Sequence, residues 1–174
     1  MSKICTLVVV FAAAAWAAGT AVSAQDAKAK QPAAAKTAAA QPTHTATTAA
    51  DLKWGPGPDS LPPGAQMAVV DGDPGKAGEP FTIRAKLPDG YKVPPHFHPT
   101  DENVTVLSGS IAIGMGDKWD EASMKVLGTH GFARLPTGMH HSALAKGATE
   151  IQINGMGPFE VTYVNKADDP RTKK

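Results

Sequence analysis

From residue 81 to residue 87 the side chains alternate without a break: Phe81, Ile83, Ala85 and Leu87 are apolar, and Thr82, Arg84 and Lys86 are polar. A strand turns successive side chains to opposite faces, so a period of two predicts a strand with one buried and one wet face. The pattern recurs along the chain. Residues 110–115 put Ile111, Ile113 and Met115 on one face. Residues 149–154 put Ile151 and Ile153 inward, with Glu150 and Gln152 outward, and residues 159–164 put Phe159, Val161 and Tyr163 together. Turn formers separate these runs: Pro88-Asp89-Gly90, Ser108-Gly109-Ser110, Pro136-Thr137-Gly138, and Asn154-Gly155-Met156-Gly157-Pro158. Many short strands punctuated in this way imply a sandwich or a barrel. Only one short turn of helix is expected, within residues 119–127. With no βαβ rhythm and no glycine-rich phosphate loop, a doubly wound nucleotide-binding fold is disfavoured.

The N-terminal part reads differently. Lys3 precedes an apolar run over residues 4–18, and Val22 and Ala24 are small enough for the two positions a signal peptidase reads. Residues 1–24 are therefore expected to be a signal peptide cut before Gln25, which places the mature protein in the periplasm or outside the cell. Residues 25–50 are mostly Ala, Lys, Gln, Thr and Pro, with Pro32 and Pro42 interrupting any helix, and are expected to be a disordered linker. His44 lies there as a polar linker residue. The globular domain is then residues 51–174. Cys5, the only cysteine, lies in the leader, so neither a disulfide nor a thiolate ligand is expected in the mature chain. Removing Lys3 leaves 16 basic residues from 17, against 16 acidic ones. That balance gives no electrostatic reason to bind nucleic acid or an anionic membrane.

Four of the six histidines fall in two stretches. His96 and His98 are two apart, so on a strand they point the same way. Glu102, Val104 and Val106 share that parity if the strand runs on without a bulge. Two imidazoles and a carboxylate would then converge beside the inner apolar face, as a metal requires. The second stretch holds His140 and His141. Adjacent strand residues face opposite sides, so one of the pair can join the same metal and the other is left exposed or as a hydrogen-bonded neighbour.

The first stretch resembles the first cupin motif: a glycine, five residues, His-x-His, three or four residues, Glu, six residues, Gly. Gly90, His96, His98, Glu102 and Gly109 meet every fixed position. Pro136, Gly138 and His141 resemble the core of the second cupin motif, which makes His141 the fourth ligand. The sequence departs from that motif at His130, where a glycine would lead, and at Ala145, where an asparagine would close it. The resemblance covers roughly residues 60–165. It implies an all-β double-stranded β-helix, or jelly-roll barrel, with one metal ion inside near one end, held by His96, His98, Glu102 and His141. It also implies a metal-dependent oxygenase, isomerase or lyase acting on a small organic molecule, with a non-catalytic metal- or ligand-binding module as the alternative.

Three imidazoles and a carboxylate suit Fe(II), Mn(II), Ni(II), Cu(II) or Zn(II), and affinity order does not choose among them. Glu102 is a candidate catalytic base as well as a ligand. The inner lining expected from parity is aliphatic and aromatic, which favours a small or aromatic ligand over a sugar phosphate. Arg84 and Lys86 fall on the outer face. Met115, Met124, Met139 and Met156 are expected to fill the core rather than bind copper. Asp71 and Asp73 read as a turn, since the later carboxylates of a calcium loop are missing. Ser142 beside His141 is not placed as a nucleophile, because neighbouring strand side chains diverge. Cupins often pair through strands, and Phe132 is a candidate for such a homodimer contact.

Overall fold

The computed structural model describes residues 44–173; the expected signal peptide and most of the expected linker lie outside them. Residues 44–50 are exposed and carry only the start of a turn. Thr47 Oγ1 nevertheless donates to the Val70 carbonyl at 3.3 Å, and Asp51 accepts from the Thr48 amide and hydroxyl, so contact with the domain begins a few residues before position 51.

Eleven strands follow: β1 (Gly55–Pro56), β2 (Gln66–Asp71), β3 (Pro80–Leu87), β4 (Lys92–Phe97), β5 (Glu102–Ser108), β6 (Ser110–Met115), β7 (Lys125–Gly128), β8 (Phe132–Leu135), β9 (His141–Ala145), β10 (Thr149–Met156) and β11 (Thr162–Tyr163). They form a six-stranded sheet, β1-β2-β3-β10-β5-β8, and a five-stranded sheet, β11-β4-β9-β6-β7. Every pairing is antiparallel. The chain alternates between the sheets as a jelly roll does.

Parity sorts the side chains. Phe81, Ile83, Ala85 and Leu87 of β3 are buried, as are Ile151 and Ile153 of β10 and Val104 and Val106 of β5. Together with Ile111, Ile113, Val161 and Tyr163 they make one continuous core between the sheets. The opposite face of β3 and β10 is a polar ladder, in which Arg84 Nε donates to Gln152 and Asn154 donates to Thr82.

Three expectations need correction. Asn154, Gly155 and Met156 belong to β10, where they pair with Thr82, Phe81 and Pro80, so the turn starts at Gly157. Gly155 permits a close approach to Asp101 rather than ending the strand: a Cβ on it would lie 2.9 Å from the Asp101 carbonyl oxygen. Met115 is exposed although it shares the parity of Ile111 and Ile113. The flanking strand β7 pairs with β6 only as far as Ile113, which leaves Met115 with β9 alone as a neighbour. Met139 and Met156 are also exposed, and of the four methionines named only Met124 is buried. Met124 packs with Ala112, Leu144 and Trp119 on the outer side of the five-stranded sheet, in a small second core.

The segment expected to hold a helical turn supplies a 3-10 turn at Glu121–Ser123, capped by the Asp120 carboxylate, before β7 begins. Asp73 accepts from the Gly75 amide at 2.8 Å, the local bond of an Asx turn. Ser142 points into the outer core, where a Cβ on Gly114 would meet its hydroxyl at 2.8 Å. Phe132 is exposed on the edge strand β8. Among the described residues no helix is long and apolar enough to cross a membrane.

Candidate metal centre

His96 and His141 meet because β4 pairs with β9 in the register that sets them opposite each other. Directly opposed residues of an antiparallel pair share a face, and their rings are 4.2 Å apart. Tyr163 extends this row on the β11 side, opposite His96. The register slips between Val93 and His96, at Pro94 and Pro95. Proline has no amide hydrogen for the ladder and is confined to bulges and edges. Here the bulge leaves the Pro94 carbonyl free to accept from His96 Nδ1 at 2.8 Å.

His98 and Glu102 do not continue β4 as expected. The chain leaves the five-stranded sheet after Phe97 and enters the six-stranded sheet at Glu102. The parity from His96 to Val106 still holds, because both sheets turn their inner faces to one interior. The four side chains thus come from two sheets and the link between them, and each is at most 6% exposed.

Each histidine is anchored in the same way. The Nδ1 of His96, His98 and His141 lies 2.8, 2.7 and 2.9 Å from the carbonyl oxygens of Pro94, Glu160 and Met139. A carbonyl can only accept, so each Nδ1 carries the hydrogen. In the neutral ring each Nε2 is therefore left with its lone pair. One ring nitrogen from each histidine can be chosen so that all three lie within 4.8 Å of one another. The Glu102 Oε2 lies 3.3 Å from His98 Nε2 and 3.1 Å from His141 Nε2. These are distances between electron-pair donors, and such contacts call for a proton or a cation between them. His98 Nε2 in particular is buried without a hydrogen-bond partner of good geometry, despite its proximity to Glu102.

The electrostatics agree. Burial, reinforced by the neighbouring His141 and His98, pushes His96 down to about 3, so its ring is neutral near pH 7. Burial alone would raise Glu102, but the neighbouring His141 and His98 rings overcome it and hold the carboxyl well below the usual range. Neutral imidazoles and an ionised carboxylate are the protonation states that coordinate a metal. A set of three nitrogens and one oxygen suits the divalent ions of the first transition series.

His140 stands apart from this cluster. Its Nδ1 lies 2.6 Å from the Asp117 carboxylate, and its ring stacks on Phe97 at 4.9 Å, on the outer side. The structure thus gathers His96, His98, Glu102 and His141 and leaves His140 out. His130 is exposed in a turn with φ of 68°.

Sequence reasoning did not find the support behind His98. The segment after β10 supplies both the Glu160 carbonyl and the Phe159 ring, which stacks on the His98 ring at 4.3 Å with the planes 19° apart. Phe159 is in turn 5.1 Å from Phe81. The alternation of residues 159–164 was a signal that Phe159 faces inward, but not that a histidine would lie against it.

The four side chains sit in the wall of a chamber of about 240 Å³. Apolar residues of both inner faces line the rest, among them Ile83, Val104, Ile113 and Ile153. Among the described residues, Glu102 is the only carboxylate lining it, and no Lys or Arg does.

The fold is shared with solved structures. A candidate acetylacetone dioxygenase from Methylibium petroleiphilum PM1 superposes with a TM-score of 0.58 at 16% identity, over 76% of this chain and 88% of that one. The polyketide cyclase RemF from Streptomyces resistomycificus gives 0.57 at 18% identity, over 76% and 94%. An RmlC-like cupin from Shewanella frigidimarina NCIMB 400 gives 0.50 at 14% identity, over 67% and 92%. No curated protein matches the chain by sequence. The family described as a domain of unknown function, DUF4437, matches residues 47–173. The chain therefore belongs to the DUF4437 family and is built as a cupin, a double-stranded β-helix with a buried three-histidine cluster.

Proposed function

We propose that this chain is an exported metal-dependent enzyme acting on a small, largely apolar organic molecule inside the barrel. The observation that carries the reading is the common anchoring of three buried histidines. Each donates Nδ1–H to a backbone carbonyl, which leaves its Nε2 lone pair free, and the Nε2 atoms of His98 and His141 lie beside Glu102. A structural histidine needs no such orientation, whereas a ligand does.

His96, His98, His141 and Glu102 would hold the ion. A divalent ion bound there supplies Lewis acidity, or redox chemistry if it is iron, manganese or copper. The chain contributes the remainder. The apolar walls exclude water and accept the body of the substrate, and the absence of Lys and Arg from the described lining argues against a phosphorylated one. Glu102 is the group able to hold or release a proton at the site, through Oε2. Two structural neighbours, the polyketide cyclase and the candidate dioxygenase, carry names of enzymes, which supports catalysis over storage. The range of reactions remains oxygenation, isomerisation or elimination. The second reading is a binding module without turnover, and turnover of any substrate separates the two. The leader sequence supports placement in the periplasm or outside the cell.

The test is elemental analysis of the protein purified from its native compartment, beside a His96→Ala, His98→Ala double variant. We expect about one equivalent of a divalent transition metal, absent from the variant. Iron, manganese or copper directs the search to dioxygen-dependent substrates, and zinc or nickel directs it to isomerisation or elimination. A folded wild type that holds no metal and takes none up on titration ends the metalloenzyme reading. A Glu102→Gln variant that keeps both metal and full activity removes the proton-transfer role.

A further inference from the structure

Every side chain of the site is buried and the chamber they line is only partly open, so passage to it depends on what holds its wall. Several non-strand segments contribute to that wall, among them Pro58, Ser60 and Leu61 on one, Pro74 and Gly75 on another, and Phe159 and Val161 on a third. The first two are held differently. The second is stitched by backbone bonds to the segment beside His98: Phe159 donates to Pro74 at 2.7 Å, Gly78 to Gly157 at 2.9 Å and Gly157 to Glu79 at 2.8 Å.

The first is a closed loop. The Gly57 amide donates to the Ala65 carbonyl at 2.9 Å across its base, and Leu61 donates to Pro58 within it. Pro58, Pro62 and Pro63 stiffen it and have no amide hydrogens to anchor it. Glycines stand at both ends, Gly57 and Gly64, the latter with φ of 113°. Two phenols tie the loop to the barrel: Tyr91 donates to the Pro62 carbonyl, and Tyr163 donates to the Ser60 carbonyl at 2.8 Å. Outside the loop lies a second hollow of about 330 Å³, and Pro58 and Leu61 line both it and the inner chamber. Two side chains thus form the partition between the metal chamber and the exterior.

We propose that residues 57–65 are the door of the chamber, latched by the hydroxyls of Tyr91 and Tyr163, and that Leu61 selects by size the apolar molecule admitted. Burial pushes Tyr91 up to about 12 and raises Tyr163 further, so both latches keep their donor hydrogens across the physiological range. The inference deepens the reading of a site for small apolar substrates. It rests on the chamber and not on the ion, so it stands or falls separately from metal binding.

The measurement is exchange of fluorobenzene with the chamber by fluorine NMR, on the purified protein stripped of metal and again loaded with zinc. The Tyr91→Phe, Tyr163→Phe variant loses two hydroxyls and no ring. We expect its on and off rates to rise together by about 5- to 150-fold, the factor two lost hydrogen bonds correspond to, with Kd unchanged. Leu61→Ala accelerates exchange and Leu61→Trp slows it, while Pro74→Ala leaves the rates in place. In hydrogen exchange, the amides of Ser60, Leu61 and Gly64 open faster in the double tyrosine variant than in the wild type.

A purely structural role for the tyrosines lowers thermal stability and leaves the exchange rates alone, and that result overturns the proposal. So do wild-type rates in both Leu61 variants, acceleration by Pro74→Ala instead, or a wild-type chamber that takes up no fluorobenzene. If the Leu61 variants do not fold, the single Tyr91→Phe and Tyr163→Phe proteins decide the matter by the same rates.

Discussion

The contact between Glu102 Oε2 and His141 Nε2, at 3.1 Å, joins two atoms that both bear lone pairs once His141 Nδ1 is committed to the Met139 carbonyl. In the metal-free protein a proton shared between them would relieve that contact. Metal uptake then displaces it. We expect release of about one proton per ion, read by titration calorimetry in buffers of different ionisation enthalpy. Uptake with no buffer dependence would show that the cluster is fully deprotonated before binding. The low value for His96 has its own consequence. Its folded pKa of about 3 lies below the ordinary 6.5, so on acidification the unfolded chain takes the proton first. Stability of the metal-free protein is then full above pH 6.5 and falls as pH drops toward 3, by at most about 1.4 kcal/mol per pH unit. Glu102 is also depressed and acts in the same direction, with its contribution lost below the ordinary carboxylate range. Denaturant midpoints from pH 8 to 4 test this. A midpoint independent of pH over that window contradicts a buried neutral His96.

At the scale of elements, the alternation that marks β3 and β10 was legible because both faces of those strands have fixed environments, core and water. The site was legible for a related reason: parity survives the passage from β4 to β5 because two sheets share one interior. Met115 was misread because parity reports the direction of a side chain but not whether a neighbouring strand covers it. Asn154, Gly155 and Met156 were misread because turn formers also serve close backbone approach. The role of Gly109 was visible as a motif position and has a physical basis. Its φ is 75°, and a Cβ there would lie 2.4 Å from the Ala148 carbonyl oxygen. We expect Gly109→Ala to destabilise by at least about 1–3 kcal/mol, the range for a strained left-handed residue, as a drop in the denaturant midpoint. The support from Phe159 was not legible, since no spacing rule links it to His98. Phe159→Ala leaves the four ligands in place and frees the His98 ring on one face. We expect metal affinity to fall by about 10- to 100-fold with near-normal metal capacity at saturation, measured by competition with a chelator. Unchanged affinity would reduce Phe159 to core filling.

For the molecule as a whole, the origin of the ligands matters more than their number. His96 and His141 belong to the five-stranded sheet, Glu102 to the six-stranded sheet, and His98 to the link between them. An ion held by all four would bridge the two sheets, while the aliphatic core bridges them independently of any ion. The mature chain as expected from the sequence has no disulfide to add a third bridge. Metal binding should therefore stabilise the protein without being required for folding. With free metal at one hundred times Kd, the gain is about 2.7 kcal/mol. We expect chelation to lower the thermal midpoint by several degrees while unfolding stays a single cooperative transition. The shift should disappear in the His96→Ala, His98→Ala variant. A metal-free protein that loses fixed tertiary structure altogether would mean that the chamber cannot hold its shape unaided. A midpoint indifferent to saturating metal would mean that the ion does not bind the folded protein in preference to the unfolded chain. The same calorimeter trace separates these cases, because the first abolishes the transition and the second leaves it unmoved.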